Sequence, residues 1–145
     1  MAVGSNPQGC ITIEAKFESL ADHRAVRQGL RSLDEVRTIT IHDAVVDMNA
    51  MLPSLPTVMI QQLGLERSST ARLRGSKGAA EVPMYDAVRL TILDRQCTTD
   101  VLGLPDGHSA AIGRTPLGCL DLVVDPQQQT LIGNPAHGGE RLLGM

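Results

Sequence analysis

Hydrophobic and polar residues alternate along the first part of the chain. In CITIEAKFES (10–19), the apolar residues Ile11, Ile13, Ala15 and Phe17 alternate with charged or hydroxyl-bearing residues. A period of two residues is typical of a strand with one buried face, so the sequence predicts a strand here. The segment VRTITIHDAVVD (36–47) repeats the alternation, and its many Val, Ile and Thr residues favour a second strand.

Two short segments favour helices. In LPSLPTVMIQQLGL (52–65), the prolines suit a turn and a first helical turn, and Gly64 is expected to end the helix. In AAIGRTPLGCL (110–120), a strand end is followed by a glycine and a helical stretch. The polar segment 21–36 predicts a loop or a short surface helix. The predicted inward face of the first helix comprises Val58, Ile60 or Met59, and Leu63.

The remaining segments indicate hairpins. Residues 69–104 predict a long β-hairpin and a further strand, with a first turn at GSKG (75–78) and a second near LDRQ (93–96). Residues 121–135 predict a strand, a turn at Asp125-Pro126 and another strand.

Many short strands joined by Gly and Pro turns predict a mainly β fold, a barrel or a sandwich. The 145 residues fit a single domain, with its core in 10–135 and a tail of little pattern in 136–145. Two segments, DAVVD (43–47) and SAAIG (109–113), each precede a short helix. They predict a pseudo-two-fold relation within the chain.

Composition excludes several functional classes. The net charge is −3 and no long basic stretch occurs, which argues against a nucleic-acid partner. No apolar run is long enough to span a membrane, and the start shows no secretory pattern, so we expect a cytoplasmic protein. The four histidines lie in separate segments without metal-ligand spacing, so neither a metal nor another cofactor is expected. The three cysteines form no CxxC pair, and we expect them to act as small buried apolar residues.

One acid stands in the apolar stretch AVVDMNAMLPSLP (44–56). A buried carboxylate costs several kcal/mol unless it is hydrogen-bonded, paired or protonated. Asp47 is therefore either a turn or cap residue, or a functional acid in a perturbed environment.

The order of these segments resembles the retropepsin-like aspartic proteases, specifically their small bacterial single-domain branch. The resemblance rests on a buried strand ending in an acid, LPSLPTVMIQQLGL, a glycine-tipped hairpin, AAIGRTPLGCLDLVVDP and QTLIGNP. One family signature is Asp-Thr/Ser-Gly-Ala after a hydrophobic strand, and a second is two hydrophobic residues followed by glycine. The second is kept here as Ala111, Ile112 and Gly113, whereas the first stands as Asp47-Met48-Asn49-Ala50.

This resemblance implies a closed β-barrel with one or two short helices, paired with an identical chain about a two-fold axis. Each chain contributes Asp47 to a shared pair of catalytic carboxylates. An extended peptide or protein segment is the implied substrate, contacting Val82, Met84 and Ile112. The implied flap over it has a tip formed by Arg74, Gly75, Ser76, Lys77 and Gly78.

The chemistry requires two acids. Two adjacent carboxylates share one proton because both cannot ionise side by side, so one acts as base towards water and the other as acid. In the family, the Thr or Ser that follows the catalytic Asp supplies a hydroxyl that forms a hydrogen bond across the dimer. Met48 occupies this position and has no hydroxyl. Asn49 stands where glycine is usual, and a positive φ at that position would favour Asn among other residues.

Three functions are compatible with these sequence features. The first is an aspartic endopeptidase that uses Asp47 from two subunits. The second is a catalytically impaired peptide-binding or interaction module on the same scaffold. The third is an unrelated small β-barrel that acts as an interaction domain.

Overall fold

The computed structural model describes residues 3–5, 10–75 and 78–142. The strands are β1 (Val3–Ser5), β2 (Ile11–Ser19), β3 (Thr38–Val46), β4 (Ser54–Pro56), β5 (Glu66–Gly75), β6 (Gly78–Ile92), β7 (Arg95–Leu104), β8 (Ala111–Ile112), β9 (Leu122–Asp125) and β10 (Thr130–Gly133). The α-helices are α1 (Leu20–Arg27), α2 (Thr57–Leu63) and α3 (Arg114–Leu120), and two 3₁₀ turns span Leu33–Glu35 and Pro135–His137.

Eight strands form one mixed sheet in the order β1-β2-β3-β8-β4-β7-β6-β5. Strand β2 also pairs with β6. The pairings of the described strands therefore run in a ring through β2, β3, β8, β4, β7 and β6. Strands β9 and β10 form a separate antiparallel pair. The prediction of a mainly β chain is confirmed.

The core is aliphatic around a single aromatic ring. Ile13, Ala15 and Phe17 alternate along β2 and are each 0% exposed, as the period-two pattern predicts. Leu55, Leu63 and other aliphatic side chains from both helices and strands complete the cluster. Burial of this apolar face is the main force that holds the strands together.

The described residues contain three α-helices, where one or two were predicted. Gly64 ends α2 with a φ of 65°, as predicted, and Ile60 and Leu63 point into the core. Val58 is wrong as an inward residue, since it is 45% exposed. Helix α1 occupies the segment that suggested only a loop or a surface helix.

Helix α1 is more buried than its polar sequence suggests, because its buried Asp22 carboxylate forms an ion pair with Arg37. Asp22 is 2% exposed. Its Oδ2 accepts hydrogen bonds from the backbone N–H and the Nε of Arg37, at 2.9 and 2.8 Å, and its Oδ1 accepts one from Nη2 at 2.9 Å. The guanidinium also covers Gly64, where a Cβ would lie 1.8 Å from Nη1. Arg37 thus links α1, β3 and the end of α2.

We expect this ion pair to make the free energy of unfolding depend on pH in the acidic range. Hydrogen bonds from Arg37 lower the pKa of Asp22 from 3.8 to about 2. Because the folded pKa lies below the unfolded one, the stabilisation is present above pH 4 and is lost as the pH falls towards 2. Asp22→Asn should lower the free energy of unfolding by about 2 kcal/mol at pH 7. Urea denaturation at several pH values measures the effect.

The control for this prediction is Asp94→Asn, in the exposed β6–β7 turn. That change should alter stability by less than about 0.5 kcal/mol at any pH. A difference between wild type and Asp22→Asn that stays constant down to pH 2 would contradict the assignment.

The tail, predicted to show little pattern, is tied to the domain through residue 142. Asp121 ends α3 with a φ of 56° and is buried. Its Oδ2 lies 2.6 Å from Nδ1 of His137 and accepts the N–H of Leu142 at 3.1 Å, and its Oδ1 accepts Nδ2 of Asn134 at 3.3 Å. The hydrogen bond from the Leu142 N–H, and to a smaller extent the one with His137, holds the pKa of the Asp121 carboxyl below its usual value.

Candidate active site

Asp47 follows the last residue of β3 and is held by the neighbouring parallel strand. The N–H of Val45 donates to the carbonyl of Ala110, and the N–H of Asp47 donates to that of Ile112, both at 2.9 Å. These bonds extend the β3–β8 ladder through Asp47. The backbone of this acid is therefore as fixed as the strand before it, while its side chain is only half-buried.

A tight turn then orients the carboxylate. The backbone N–H of Asn49 donates to Oδ1 of Asp47 at 2.9 Å, and the N–H of Ala50 donates to the Asp47 carbonyl at 3.2 Å. A side-chain oxygen that accepts the N–H two residues on is a common aspartate turn. Within the described residues the Asp47 carboxylate has no ion-pair partner.

Asn49 does not adopt a left-handed backbone. The described non-glycine residues with positive φ are Leu93, Asp94, Asp121 and Gln129. The loop backbone therefore has no conformational need for glycine at position 49. The hydrogen bond to Asp47 comes from the main chain of Asn49, so the turn forms with either residue.

Helix α3 holds the other end of this loop. The N–H groups of Arg114 and Thr115 donate to the carbonyls of Ala50 and Met51, both at 2.9 Å. A Cβ on Gly113 would lie 2.6 Å from the carbonyl carbon and oxygen of Met51. The loop can approach α3 this closely only because Gly113 has no side chain.

One row of residues crosses the sheet on the side opposite to the Ile112 side chain, and its middle members, Ser54 and Leu102, are buried. Directly opposed residues share a face, and register pairs Val45 with Ala111, Ala111 with Ser54, Ser54 with Leu102, and Leu102 with Met84. The next residues along β3 and β8, Val46 and Ile112, point to the other side, where Ile112 is 0% exposed. Alternation from Val45 puts Asp47 on the side of this row. We call the row the floor.

The β5–β6 hairpin extends beyond the floor. Its ladder is continuous from Ser69–Met84 to Gly75–Gly78. Val82 and Leu73 share the face of Met84, and Leu73 is 38% exposed. The hairpin thus presents an apolar face continuous with the floor.

The predicted site residues fall into three groups. Asp47, Met48, Asn49 and Ala50 form one loop, and Val82 and Met84 lie on the hairpin face that adjoins the floor. Ile112 and Gly113 are both buried. The Ile112 carbonyl accepts the Asp47 N–H, Gly113 lies against the backbone of Met51, and the Ile112 side chain lies in the core. Of the predicted flap tip, Arg74 and Gly78 are exposed and Gly75 pairs with Gly78, while Ser76 and Lys77 lie outside the described residues.

Asp106 has a role that sequence analysis did not identify. Its Oδ1 accepts the N–H of Val58 at 2.9 Å, and so caps the start of α2 from a distant loop. The Thr57 hydroxyl donates to the carbonyl of Leu104 at 2.9 Å nearby. The Pro-Asp-Gly sequence indicates a turn, but nothing local indicates which helix the aspartate would cap.

No protein-family model and no curated protein matches this chain. The helices in the described part of the chain are too short or too polar to cross a membrane. Its described residues contain no group of three or more His, Cys, Asp or Glu side chains arranged to hold a metal ion.

Proposed function

We propose that this chain is one half of a retropepsin-like aspartic endopeptidase, in which Asp47 from two identical subunits activates water. The observation that carries the proposal is the position of Asp47. Its backbone continues the parallel β3–β8 ladder, its Oδ1 accepts a main-chain N–H, and its carboxylate has no ion-pair partner among the described residues. An acid held by backbone hydrogen bonds, with no ion-pair partner among the described residues, is available to share a proton with a second carboxylate.

A second subunit is needed to complete this chemistry. The loop supplies one carboxylate, and isologous two-fold pairing would supply the second. With one proton between them, the ionised Asp47 takes a proton from water, and the water oxygen bonds to the peptide carbonyl carbon. The protonated Asp47 stabilises the carbonyl oxygen. The C–N bond then breaks as the amine nitrogen receives a proton.

The fold is consistent with this proposal. The ring of six paired strands supports a closed barrel, and the adjacent parallel strands β3 and β8 support an internal two-fold relation. Helices α2 and α3 both end in a left-handed residue, Gly64 and Asp121, followed by leucine. The two strand-to-helix units therefore share their termination as well as their order.

The substrate we propose is an extended peptide lying between the floor and the hairpin. The half-buried side chains there are small or aliphatic, including Val45, Ala111, Val82 and Met84. Such a surface suits aliphatic side chains of the peptide.

Binding without cleavage is the second candidate, and Met48 favours it. Met48 is 49% exposed and has no hydroxyl to donate across a dimer. The Asn49 side chain is exposed on the same loop. A chain that kept the scaffold but lost the chemistry would retain the apolar hairpin face and the floor.

Met48→Thr tests the dimer directly. If Met48 lies at a two-fold axis, the new hydroxyl adds two symmetric hydrogen bonds of about 1 kcal/mol each. The dimer dissociation constant should then fall by at least about tenfold, measured by sedimentation equilibrium. Met51→Thr is the matched control, since Met51 is 62% exposed and three residues further along, and it should leave dimerisation unchanged. Equal constants for both variants would contradict the placement of Met48 at the axis.

Cleavage distinguishes the two candidates. Purified protein is incubated with a peptide library at acidic pH, with and without pepstatin, and products are identified by mass spectrometry. Pepstatin-sensitive cuts between aliphatic residues support the endopeptidase. Binding of library peptides by a dimer that never cuts them supports the module, and a monomer that does neither rejects both.

A further inference from the structure

Two cysteines far apart in sequence lie on neighbouring elements. Cys97 is on β7 and Cys119 is on α3, and these elements pack against each other. Arg95 shares the face of Cys97 two residues along β7, and its Nη1 donates to the carbonyls of Leu120 and Asp121, both at 3.0 Å. This face of β7 is therefore directed at the C-terminal end of α3, where Cys119 lies.

The two thiols differ in accessibility. Cys97 is 7% exposed, and Cys119, which was expected to be buried, is exposed. Burial, with a smaller contribution from the adjacent Cys119 thiol, raises the pKa of the Cys97 thiol to about 12. Cys119 is also held in place by the tail: Nε of Arg141 donates to its carbonyl at 3.1 Å and Nη2 lies 3.7 Å from its Sγ.

We infer that Cys97 and Cys119 are a peroxide-sensitive pair that closes to an intrachain disulfide between β7 and α3. Cys119 is the thiol that the oxidant reaches. Cys97, which burial keeps protonated, reacts second and more slowly, and its proton passes to the leaving sulfenic oxygen. This inference does not depend on the proposed peptidase function.

The oxidation balances with a hydroperoxide as the oxidant. The sulfur of Cys119 attacks one peroxide oxygen, the O–O bond breaks, and a sulfenic acid and one water form when the peroxide is H₂O₂. The sulfur of Cys97 then attacks the sulfenic sulfur, the S–O bond breaks, and the oxygen leaves with the Cys97 proton as a second water. Two thiols are oxidised by two electrons, and the peroxide is reduced.

A Cys97–Cys119 disulfide would also restrain the candidate site. The first N–H groups of α3 hold the carbonyls of Ala50 and Met51 in the Asp47 loop. A covalent link from α3 to β7 would prevent the helix from moving away from the sheet. Oxidation should therefore raise the melting temperature, since a disulfide restricts the unfolded chain.

The test uses full-length Cys10→Ser protein, which retains only Cys97 and Cys119. It is treated with stoichiometric H₂O₂, alkylated under denaturing conditions and digested with trypsin. Cleavage after Arg95, Arg114 and Arg141 yields peptides 96–114 and 115–141. We expect one disulfide-linked species of both peptides from protein that migrates as a monomer, and a reductant should separate them.

Two results would overturn the inference. One is recovery of the two peptides unlinked, with Cys119 as sulfinic or sulfonic acid and Cys97 still a thiol. The other is a linkage found only between chains, as a dimer on a non-reducing gel. Cys119→Ser allows a second, independent measurement. The Cys119 side chain is exposed, so the substitution removes the thiol without disturbing the core. Peroxide should raise the melting temperature of the Cys10→Ser protein by several degrees and should leave that of a Cys10→Ser, Cys119→Ser protein unchanged.

Discussion

If Asp47 is the catalytic acid of a two-chain peptidase, as proposed, Asp47→Asn is expected to reduce peptide cleavage on the order of 10⁴-fold, to the buffer background, without preventing folding or dimerisation. Asparagine keeps the size of the side chain and can still accept the 2.9 Å hydrogen bond from the Asn49 N–H. It cannot take a proton from water, and two asparagines cannot share a proton. Product formation is measured by mass spectrometry with those library peptides that are found to be cut by the wild-type protein.

Asp43→Asn is the control for this change. Asp43 lies on the same strand, four residues upstream, and is exposed. Removing its charge should leave both cleavage and stability within the error of the measurement. Equal activity in Asp47→Asn and wild type would reject Asp47 as the catalytic acid.

Subunit mixing tests whether one site uses two chains. If wild-type and Asp47→Asn chains are mixed in equal amounts and allowed to exchange, about one quarter of the dimers keep two acids. Activity should fall to about one quarter of that of the same total concentration of wild type. A value of one half would mean that each chain acts alone.

Gly113→Ala is expected to lower the free energy of unfolding by about 2–4 kcal/mol. The φ of Gly113 is −94°, which any residue can adopt, so the cost is steric. The added Cβ would lie 2.6 Å from the backbone carbonyl of Met51 and 2.8 Å from the N atom of Leu52. Backbone cannot rotate away as a side chain does, so either the Asp47 loop or α3 must move. Chemical denaturation measures the loss.

Gly118→Ala is the matched control on the same helix. A Cβ there would have no neighbour within 4 Å, and alanine is the better helix former. This variant should be as stable as wild type or up to about 1 kcal/mol more stable. Equal losses for the two glycine variants would contradict the close contact between α3 and the loop. Cleavage by Gly113→Ala under conditions where it is fully folded should also fall, because the contact orients the loop that carries Asp47.

Several elements were predictable because their signals are local. The alternation in β2 and β3 records which side chains face the core, so these strands were found from apolar spacing. Gly64 at the end of α2 and the β6–β7 turn, where Leu93 and Asp94 have positive φ, were found from turn chemistry. These features depend on neighbouring residues and need no knowledge of the rest of the chain.

Other features depend on partners that are distant in sequence. Asp22 is buried in α1 because Arg37, fifteen residues away, supplies three hydrogen bonds. Asp106 caps α2 across forty-eight residues, and Asp121 holds a tail that shows little pattern in sequence. An aspartate in a polar segment has the same local appearance whether it is solvated or holds a distant donor.

The sequence by itself determined the mainly β character, most strand positions and the single acid at the end of an apolar strand. Only the tertiary structure decided what surrounds that acid: β8 beside it, α3 against its loop, and Met84 on the same side of the sheet. The reason is physical. Strand propensity and polarity are properties of adjacent residues, whereas the environment of a carboxylate is set by strand order and register, which place distant segments within hydrogen-bonding distance.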